Sequence, residues 1–387
     1  MRQLQLLIKP ASGFCNMRCQ YCFYRDEQKK RPRAVDCMMS FDTAEVLIRR
    51  CFEELEQGGF VSFAFQGGEP TLAGLDFFRF FTQTVRKYNQ KHIGVQYSIQ
   101  TNGLAVTDEW AEFLQMEHFL VGISLDGTQD VHDMLRPDAN GNGTWEKVMQ
   151  TLELLNRYRI ECNLLCVVTK RLAKKAERVY KSMKATGVRY FQFIPCLDPL
   201  DSQRGRETYS LSPSLSPELH AQFLCALFDA WYRDWKNSSY ISIRLFEDYL
   251  QLFMRAPSGT CSTTGSCGCY VVVDGNGTVY PCDFFCLENH KLGTIQRDTL
   301  QSLIFGDKMR TFATNGRQIP TECYQCKWVQ LCRGGCKRDR DIMDKTSHSY
   351  YCKSFQTFFS YAEHRLLEMA HTVQLCRLKE ESTIEYK

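Results

Sequence analysis

Short apolar or β-branched runs alternate with helix-like segments through the first half of the chain, and this alternation restricts the possible fold more than any other feature. Strands that each lead into a helix predict a parallel sheet with right-handed crossovers. The pattern fits both a doubly wound sheet and a partial barrel. The six runs are residues 4–8, 61–65, 95–100, 120–125, 163–168 and 190–194, and the helical patterns are residues 43–56, 77–89, 109–116, 144–158 and 173–186.

Three cysteines follow the first run directly. Cys15, Cys19 and Cys22 have the spacing C-x3-C-x2-C in GFCNMRCQYCFY. Three thiolates in one loop can hold three irons of a [4Fe–4S] cube and leave the fourth iron open to a small molecule, whereas cluster cysteines normally come in fours. The alternatives are half of a zinc knuckle or unrelated buried thiols. A knuckle needs a further ligand close by, but the nearest histidine is His92, and a charged run separates Cys37 from the loop.

The composition is that of a soluble globular protein. The chain has 387 residues, 44% hydrophobic and 24% charged, which suits two or three domains. The formal charge is only +4 and no block of Lys and Arg stands out, so we expect no nucleic-acid partner. No apolar stretch approaches 18 residues and the first residues form no secretory signal, so we expect no membrane span and a cytoplasmic location.

The twenty cysteines cluster near the two ends of the chain. Three lie in residues 15–22 and ten in residues 261–352. In a reducing compartment such clusters indicate metal or redox chemistry rather than disulfides. From residue 261 the sequence predicts short strands, turns and a closing helix over residues 354–370. Zinc ribbons have similar cysteine spacings. The three-cysteine loop near the N-terminus favours iron rather than zinc as the metal in this region. The candidate ligands in this region are Cys261, Cys267, Cys282, Cys323, Cys326, Cys332, Cys336 and Cys352.

Polar or glycine-rich segments follow the predicted strands, at the edge where α/β folds bind ligands. Gln66 and Gly68 belong to QGGEP after the second strand, and Ser124 ends the fourth. Arg136 offers a planar fork suited to a carboxylate. A tight turn and a solvated arginine are the alternatives for these segments.

Taken together, these motifs resemble a known family. The N-terminal loop resembles the signature of radical S-adenosylmethionine (radical-SAM) enzymes, and the C-terminal spacing resembles the SPASM auxiliary-cluster domain. LLIKPAS, SFAFQGGEPTLAGL, QTNG, FLVGISLDG, VYPCDFF and CKWVQLCRGGCKRDRD, in this order, resemble the anaerobic sulfatase-maturating enzymes. The resemblance implies a partial (β/α)6 barrel of the TIM type over residues 1–230, a connecting segment over 231–260, a SPASM domain over 261–370 and a tail over 371–387.

The resemblance also implies cofactors and site residues. S-adenosylmethionine would chelate the open iron of the cluster on Cys15, Cys19 and Cys22. Two further [4Fe–4S] clusters would be ligated by Cys261, Cys267, Cys282 and Cys336 and by Cys323, Cys326, Cys332 and Cys352. Asp283 aligns with the proposed catalytic base, while Tyr24 is a weaker candidate for substrate or cofactor contact. The implied S-adenosylmethionine contacts are Tyr21, Gln66, Gly68, Ser124, Arg136 and Leu197.

The implied activity is oxidation of a Cys or Ser side chain in a sulfatase polypeptide to Cα-formylglycine. The substrate would carry a C/S-x-P-x-R motif, and a flavodoxin or ferredoxin would donate electrons. The alternative is another SPASM-type maturase that installs thioether or other crosslinks. Only 14 residues precede Cys15, so we expect no leader-peptide domain ahead of the barrel. A non-catalytic iron–sulfur carrier or zinc protein would need no S-adenosylmethionine pocket.

Overall fold

The computed structural model describes residues 1–31, 37–198, 213–341 and 348–384. These residues form two compact units, each assembled from separate stretches of the chain. Described residues within 1–166, 197–198 and 268–315 make up the first unit, and those within 167–196, 213–267 and 316–384 make up the second.

The helices and strands alternate along the first part of the chain, as predicted. In chain order the elements are β1 (Gln3–Lys9), α1 (Phe23–Lys30), α2 (Phe41–Glu54), β2 (Phe60–Phe65), α3 (Leu75–Tyr88), β3 (Gly94–Thr101), α4 (Asp108–Met116), β4 (Leu120–Ser124), α5 (Gln129–Leu135), α6 (Trp145–Arg157), β5 (Cys162–Val168), α7 (Lys170–Ala173), α8 (Ala176–Lys184), β6 (Tyr190–Pro195), α9 (Pro217–Lys236), β7 (Ser242–Ile243), α10 (Arg244–Phe253), α11 (Cys261–Thr264), β8 (Val271–Asp274), β9 (Thr278–Tyr280), β10 (Gly293–Thr294), α12 (Leu300–Phe305), α13 (Asp307–Arg317), α14 (Val329–Cys332), α15 (Lys337–Asp341) and α16 (Cys352–Ile384).

A mainly parallel sheet forms the centre of the first unit. Strands β1 to β5 pair in parallel in the order in which they occur along the chain. Each is preceded or followed by a helix whose apolar side is buried; α3, for example, buries Phe77, Phe78 and Phe81. The predicted fold class, α/β with a parallel sheet, is confirmed.

The sheet also continues past β1 in a way that the sequence pattern did not reveal. Strand β8 pairs in parallel with β1, and this register places Lys9 opposite Asp274. Strands β9 and β10 then extend the same edge antiparallel. The C-terminal cysteine-rich region therefore contributes three strands to the sheet that begins at the N-terminus.

Two helical predictions in the second unit differ in extent from the structure. The helix predicted over residues 173–186 is α8, which begins only at Ala176 because Lys175 before it has a non-helical backbone; the short helix α7 precedes it. Helix α9 begins at Pro217 with Ser216 as its N-cap, a favourable start signal. The last helix, α16, extends to Ile384, well past the predicted end at residue 370.

Strand β6, which corresponds to the sixth predicted run, pairs in parallel with β7 in the second unit. Within the ranges that the structure describes, no helix combines the length and the apolar character needed to cross a membrane.

Candidate active site

The three N-terminal cysteines lie in the loop between β1 and α1. Cys22 is the N-cap residue of α1, and all three side chains are partly buried thiols rather than disulfides. The loop is held by backbone pairing with the segment after α5, where Arg18 N–H donates to Pro137 O and Gln20 N–H to Leu135 O, both at 2.9 Å. This pairing fixes the loop against the segment that carries Arg136.

The electrostatics of this loop fit a metal cluster. Burial, together with the neighbouring thiols, raises the pKa of Cys15 to about 12 and that of Cys19 to about 11. Bare thiolates are therefore unfavourable here, and iron would supply the compensating positive charge. In the described part of the chain no three His, Cys, Asp or Glu side chains are grouped to hold a single metal ion. In an iron–sulfur cluster each thiolate binds its own iron, so the donor set still suits a [4Fe–4S] cube.

The structure brings together two predicted cofactor residues, Tyr21 and Arg136. The guanidinium carbon of Arg136 lies 5.4 Å from the centroid of the Tyr21 ring, and its Nη1 lies 4.0 Å from Cys19 Sγ. Arg136 Nε pairs with Asp126 Oδ2 at 3.0 Å, and Tyr21 donates its hydroxyl proton to the same carboxylate. Asp126 is fully buried and was not among the predicted site residues. The binding roles of Tyr21 and Arg136 toward S-adenosylmethionine stay predictions.

The two glycines of QGGEP allow close packing against the cluster loop. Both have positive φ, and a Cβ on Gly68 would lie 2.2 Å from Phe14 O. A Cβ on Gly67 would lie 2.5 Å from Lys9 Cγ. Buried Glu69 then accepts hydrogen bonds from Thr71 N and Asn102 N at 3.1 and 2.8 Å. This turn therefore fixes the cluster loop and the ends of β2 and β3 together.

The structure places the other predicted cofactor residues, Gln66, Ser124 and Leu197, in surroundings that differ from one another. Gln66 donates to Tyr24 Oη at 3.0 Å and to Asp283 Oδ2 at 3.2 Å, on the side of the proposed base. Ser124 ends β4 and accepts a hydrogen bond from Gln100 at 3.2 Å. Leu197 follows β6 in the chain and is partly buried. Their contacts to a bound cofactor stay predictions.

Asp283 is a buried carboxylate with partners on both oxygens. It begins the 3-10 turn Asp283–Phe285, immediately after Cys282, and is 3% exposed. Tyr24 donates its hydroxyl proton to Oδ2 at 2.6 Å, and Lys9 Nζ lies 2.9 Å from Oδ1. Burial, and then Asp283 itself, raise the pKa of Tyr24 well above its ordinary value, so this hydroxyl remains a donor.

Three further residues complete this buried group, and sequence reasoning missed them as site residues. Lys9 Nζ lies 3.4 Å from Glu27 Oε2 and 3.2 Å from Cys286 Sγ. Cys286 N–H donates to Glu27 Oε1 at 3.3 Å. We name Lys9, Glu27, Asp283 and Cys286 the Lys9 cluster. The signal that could have found it is a charged residue at the carboxyl end of an apolar parallel strand, where ligand sites form.

Glu27 is expected to make stability depend on pH. Burial raises its pKa from 4.5 to about 7, Lys9 opposes this rise and Asp283 adds to it. Between pH 4.5 and about pH 7 the folded state therefore binds more protons than the unfolded state. The contribution of Glu27 to the free energy of unfolding is fully present below about pH 4.5 and is lost as the pH rises to about 7. Anaerobic thermal unfolding should therefore show a flatter decline from pH 6 to pH 7 in Glu27→Gln than in the unsubstituted protein; an unchanged slope would contradict this assignment.

Four of the C-terminal cysteines form one electrostatic group in the second unit. Burial raises the pKa of Cys323, Cys332 and Cys352, that of Cys332 to about 12, and the Cys326 thiol adds to each of these rises. Four partly buried thiols at one place match the ligand set of a fully ligated cluster. The predicted grouping of these four cysteines is consistent with this arrangement.

The other predicted auxiliary ligands are divided between the units. Cys261 begins α11, and Cys267 and Cys336 also belong to the second unit, whereas Cys282 lies in the first. Within the first unit, the hydroxyl oxygen of Tyr270 lies 3.7 Å from Cys282 Sγ. The ligation of one cluster by Cys261, Cys267, Cys282 and Cys336 stays a prediction.

Comparison with known protein families identifies two domains. The model of the radical SAM superfamily matches residues 10–182, and the model of the SPASM iron–sulfur cluster-binding domain matches residues 261–327. The matched ranges contain the N-terminal cysteine loop and the first cysteines of the C-terminal set. The two domain types expected from the sequence are confirmed.

The chain is also similar to curated proteins over nearly its whole length. It is 41% identical to the cysteine-type anaerobic sulfatase-maturating enzyme of Clostridium novyi (strain NT), covering 96% of this chain and 99% of that protein. It is 31% identical to the serine-type enzyme of Bacteroides thetaiotaomicron, covering 93% and 89%. A solved structure described as native anSMEcpe with bound AdoMet and Cp18Cys peptide matches with a TM-score of 0.89 at 40% identity, covering 96% and 99%.

Proposed function

This chain belongs to the anaerobic sulfatase-maturating enzymes, and we propose that it is a cysteine-type member that converts a cysteine of a sulfatase polypeptide to Cα-formylglycine. Identity to the cysteine-type relative of Clostridium novyi is 41%, against 31% for the serine-type enzyme of Bacteroides thetaiotaomicron. The structural observation that carries this proposal is the buried Asp283 carboxylate, which follows Cys282 in the chain and is held by Tyr24, Gln66 and Lys9.

The protein works with three [4Fe–4S] clusters and S-adenosylmethionine. When bound, these cofactors supply the electron transfer and the abstraction of hydrogen from the substrate carbon. Cys15, Cys19 and Cys22 would hold the cluster nearest the cofactor, because they form a set of three thiols whose burial disfavours bare charge. Arg136, with its charge balanced by Asp126, would orient the carboxylate of S-adenosylmethionine beside Tyr21.

Asp283 would accept the proton from the substrate thiol. Its Oδ2 receives hydrogen bonds from Tyr24 and Gln66, while its Oδ1 pairs with Lys9. These contacts fix the carboxylate. Two hydrogen bonds occupy the lone pairs of Oδ2, so Oδ1, which forms the ion pair with Lys9, keeps the lone-pair capacity for the substrate proton. A base held in this way accelerates a proton transfer by about 10²- to 10⁴-fold.

We also propose the finer features of the substrate and of the electron supply. The substrate segment would have a C-x-P-x-R or S-x-P-x-R motif. A flavodoxin or ferredoxin would deliver electrons. A reducing cytoplasm suits a chain with twenty cysteines, because thiols and clusters persist there.

Two peptides distinguish this function from its alternatives. Anaerobic incubation with S-adenosylmethionine and dithionite should remove about 18 mass units from a C-x-P-x-R peptide, after hydrolysis, and create an aldehyde that reacts with a hydrazide. We expect the matched S-x-P-x-R peptide, which would lose about 2 mass units, to react at least about tenfold more slowly. A mass loss without hydrazide-reactive aldehyde would instead indicate a crosslinking maturase, and faster serine oxidation would contradict the cysteine type.

A further inference from the structure

The Lys9 ammonium contacts two carboxylates, one of which is the proposed base Asp283, and one thiol. Lys9 Nζ lies 2.9 Å from Asp283 Oδ1, 3.2 Å from Cys286 Sγ and 3.4 Å from Glu27 Oε2. The side chains of Lys9, Asp283 and Glu27 are each 4% exposed or less. Burying a lysine costs free energy unless the ammonium is paired. Here the contacts to Asp283 and Glu27 offset the loss of hydration.

The fold fixes the path of the Lys9 side chain. Lys9 ends β1, which is held between β2 and β8. Gly67 leaves the space through which the lysine passes, because a Cβ there would lie 2.5 Å from Lys9 Cγ and 2.8 Å from Cδ. The ammonium also lies 4.6 Å from the centroid of the Tyr24 ring. Lys9 is therefore directed at Asp283 by the strand on one side and by the glycine turn on the other.

The two carboxylates face Lys9 differently. Asp283 has the shorter contact and receives two further hydrogen bonds, from Tyr24 and Gln66. Glu27 has the longer contact to Lys9 and accepts a hydrogen bond from Cys286 N–H. It also lies in the field of Arg31, the C-cap residue of α1. Burial raises the pKa of Glu27 to about 7 and Lys9 opposes this rise, so Glu27 is ionised above that pH; burial also raises the pKa of Cys286. The shorter contact directs the Lys9 charge chiefly at Asp283.

Resting on the proposed function, we infer that Lys9 is a positioning residue for Asp283 and that Glu27 anchors the Lys9 ammonium. When Asp283 takes the proton of the substrate thiol, its carboxylate becomes neutral and the thiol sulfur gains the electron pair of the broken S–H bond. Lys9 then loses its nearest counter-charge, and the ionised Glu27 at 3.4 Å remains as its partner. The ammonium thus faces two carboxylates before the transfer and one after it.

The Lys9→Met holoenzyme tests this assignment, because methionine keeps an unbranched side chain and removes the charge. With a peptide deuterated at the target Cβ, we expect deuterium still to reach 5′-deoxyadenosine. Formylglycine formed per deuterated 5′-deoxyadenosine should fall by about tenfold or more. In a crystal structure of this variant, the Asp283 carboxylate should turn away from Tyr24 Oη to beyond about 3.5 Å, outside hydrogen-bond distance. A wild-type ratio, or an Asp283 carboxylate still at hydrogen-bond distance from Tyr24, would overturn the inference.

Glu27→Gln is the second variant and keeps the test decisive if Lys9→Met fails to load its clusters. We expect its ratio to fall about two- to tenfold, as for the loss of one net hydrogen bond, with Lys9 Nζ displaced from Asp283; an unmoved ammonium and an unchanged ratio would refute the anchor. The matched control is Asp234→Asn, which removes a partly buried ion pair with Lys184 in the second unit. It should lower thermal stability and leave the ratio unchanged, and a fall in its ratio would mean that the loss of any partly buried charge has this effect. If the unsubstituted enzyme forms no formylglycine, the proposed function fails, while the position of Asp283 in the crystals still decides the role of Lys9.

Discussion

Asp283→Asn is expected to lower formylglycine formation by about 10²-fold or more while S-adenosylmethionine is still cleaved. Asparagine has nearly the shape of aspartate and can still accept hydrogen bonds from Tyr24 and Gln66, but it cannot take up the substrate proton. The loss should therefore fall on the chemical step rather than on folding. Peptide mass spectrometry and quantification of 5′-deoxyadenosine in the same anaerobic reaction give both quantities.

The control for this change is Asp76→Asn, because the Asp76 side chain is 90% exposed and makes only a surface ion pair with Arg79. It should match the unsubstituted enzyme in both measurements. If Asp283→Asn oxidised peptide at the unsubstituted rate, Asp283 would not be the base and the Lys9 cluster would need another role.

Replacing Cys15, Cys19 and Cys22 together by alanine should abolish 5′-deoxyadenosine formation altogether. These thiols lie in one partly buried loop, and without them the nearby cluster has no protein ligand. Iron should fall from about twelve to about eight atoms per chain, since the auxiliary ligand sets are untouched. Iron and sulfide assays on anaerobically purified protein, with chromatography of the nucleoside, measure both effects.

Cys225→Ala is the matched control, because Cys225 is partly buried on α9 and belongs to none of the predicted ligand sets. It should retain about twelve irons and full activity. A triple variant that still held twelve irons, or that still cleaved S-adenosylmethionine, would show that the N-terminal loop is not the site of the cofactor.

The sequence predicted the parts of the fold that depend on local pattern. Strands β1 to β6 were found because short apolar or β-branched runs alternate with helical patterns along this part of the chain. The cysteine loop and the C-terminal thiols were found because metal ligation leaves a spacing that is independent of packing. Helix α7 was missed and the start of α8 was placed at residue 173 instead of Ala176, because the break at Lys175 carries no proline or glycine signal.

The Lys9 cluster shows what local pattern could not reveal. Lys9 and Cys286 are 277 positions apart, and they meet only because β8 joins the sheet beside β1. A lysine before Pro10 at the end of an apolar run has the appearance of an ordinary strand boundary. Likewise, the glycines of QGGEP make room for Lys9 and for the backbone of the cluster loop, a packing that the sequence did not indicate.

The pairing of β8 with β1 has a practical consequence for anyone who would study this protein in pieces. A fragment that ends before Val271 would keep the three N-terminal cysteines but leave one side of β1 without hydrogen-bonded partners. It would also lack Asp283, the carboxylate nearest to Lys9, and keep the longer contact of Lys9 to Glu27. Dissection at the apparent domain border would thus yield an aggregation-prone half rather than a minimal enzyme.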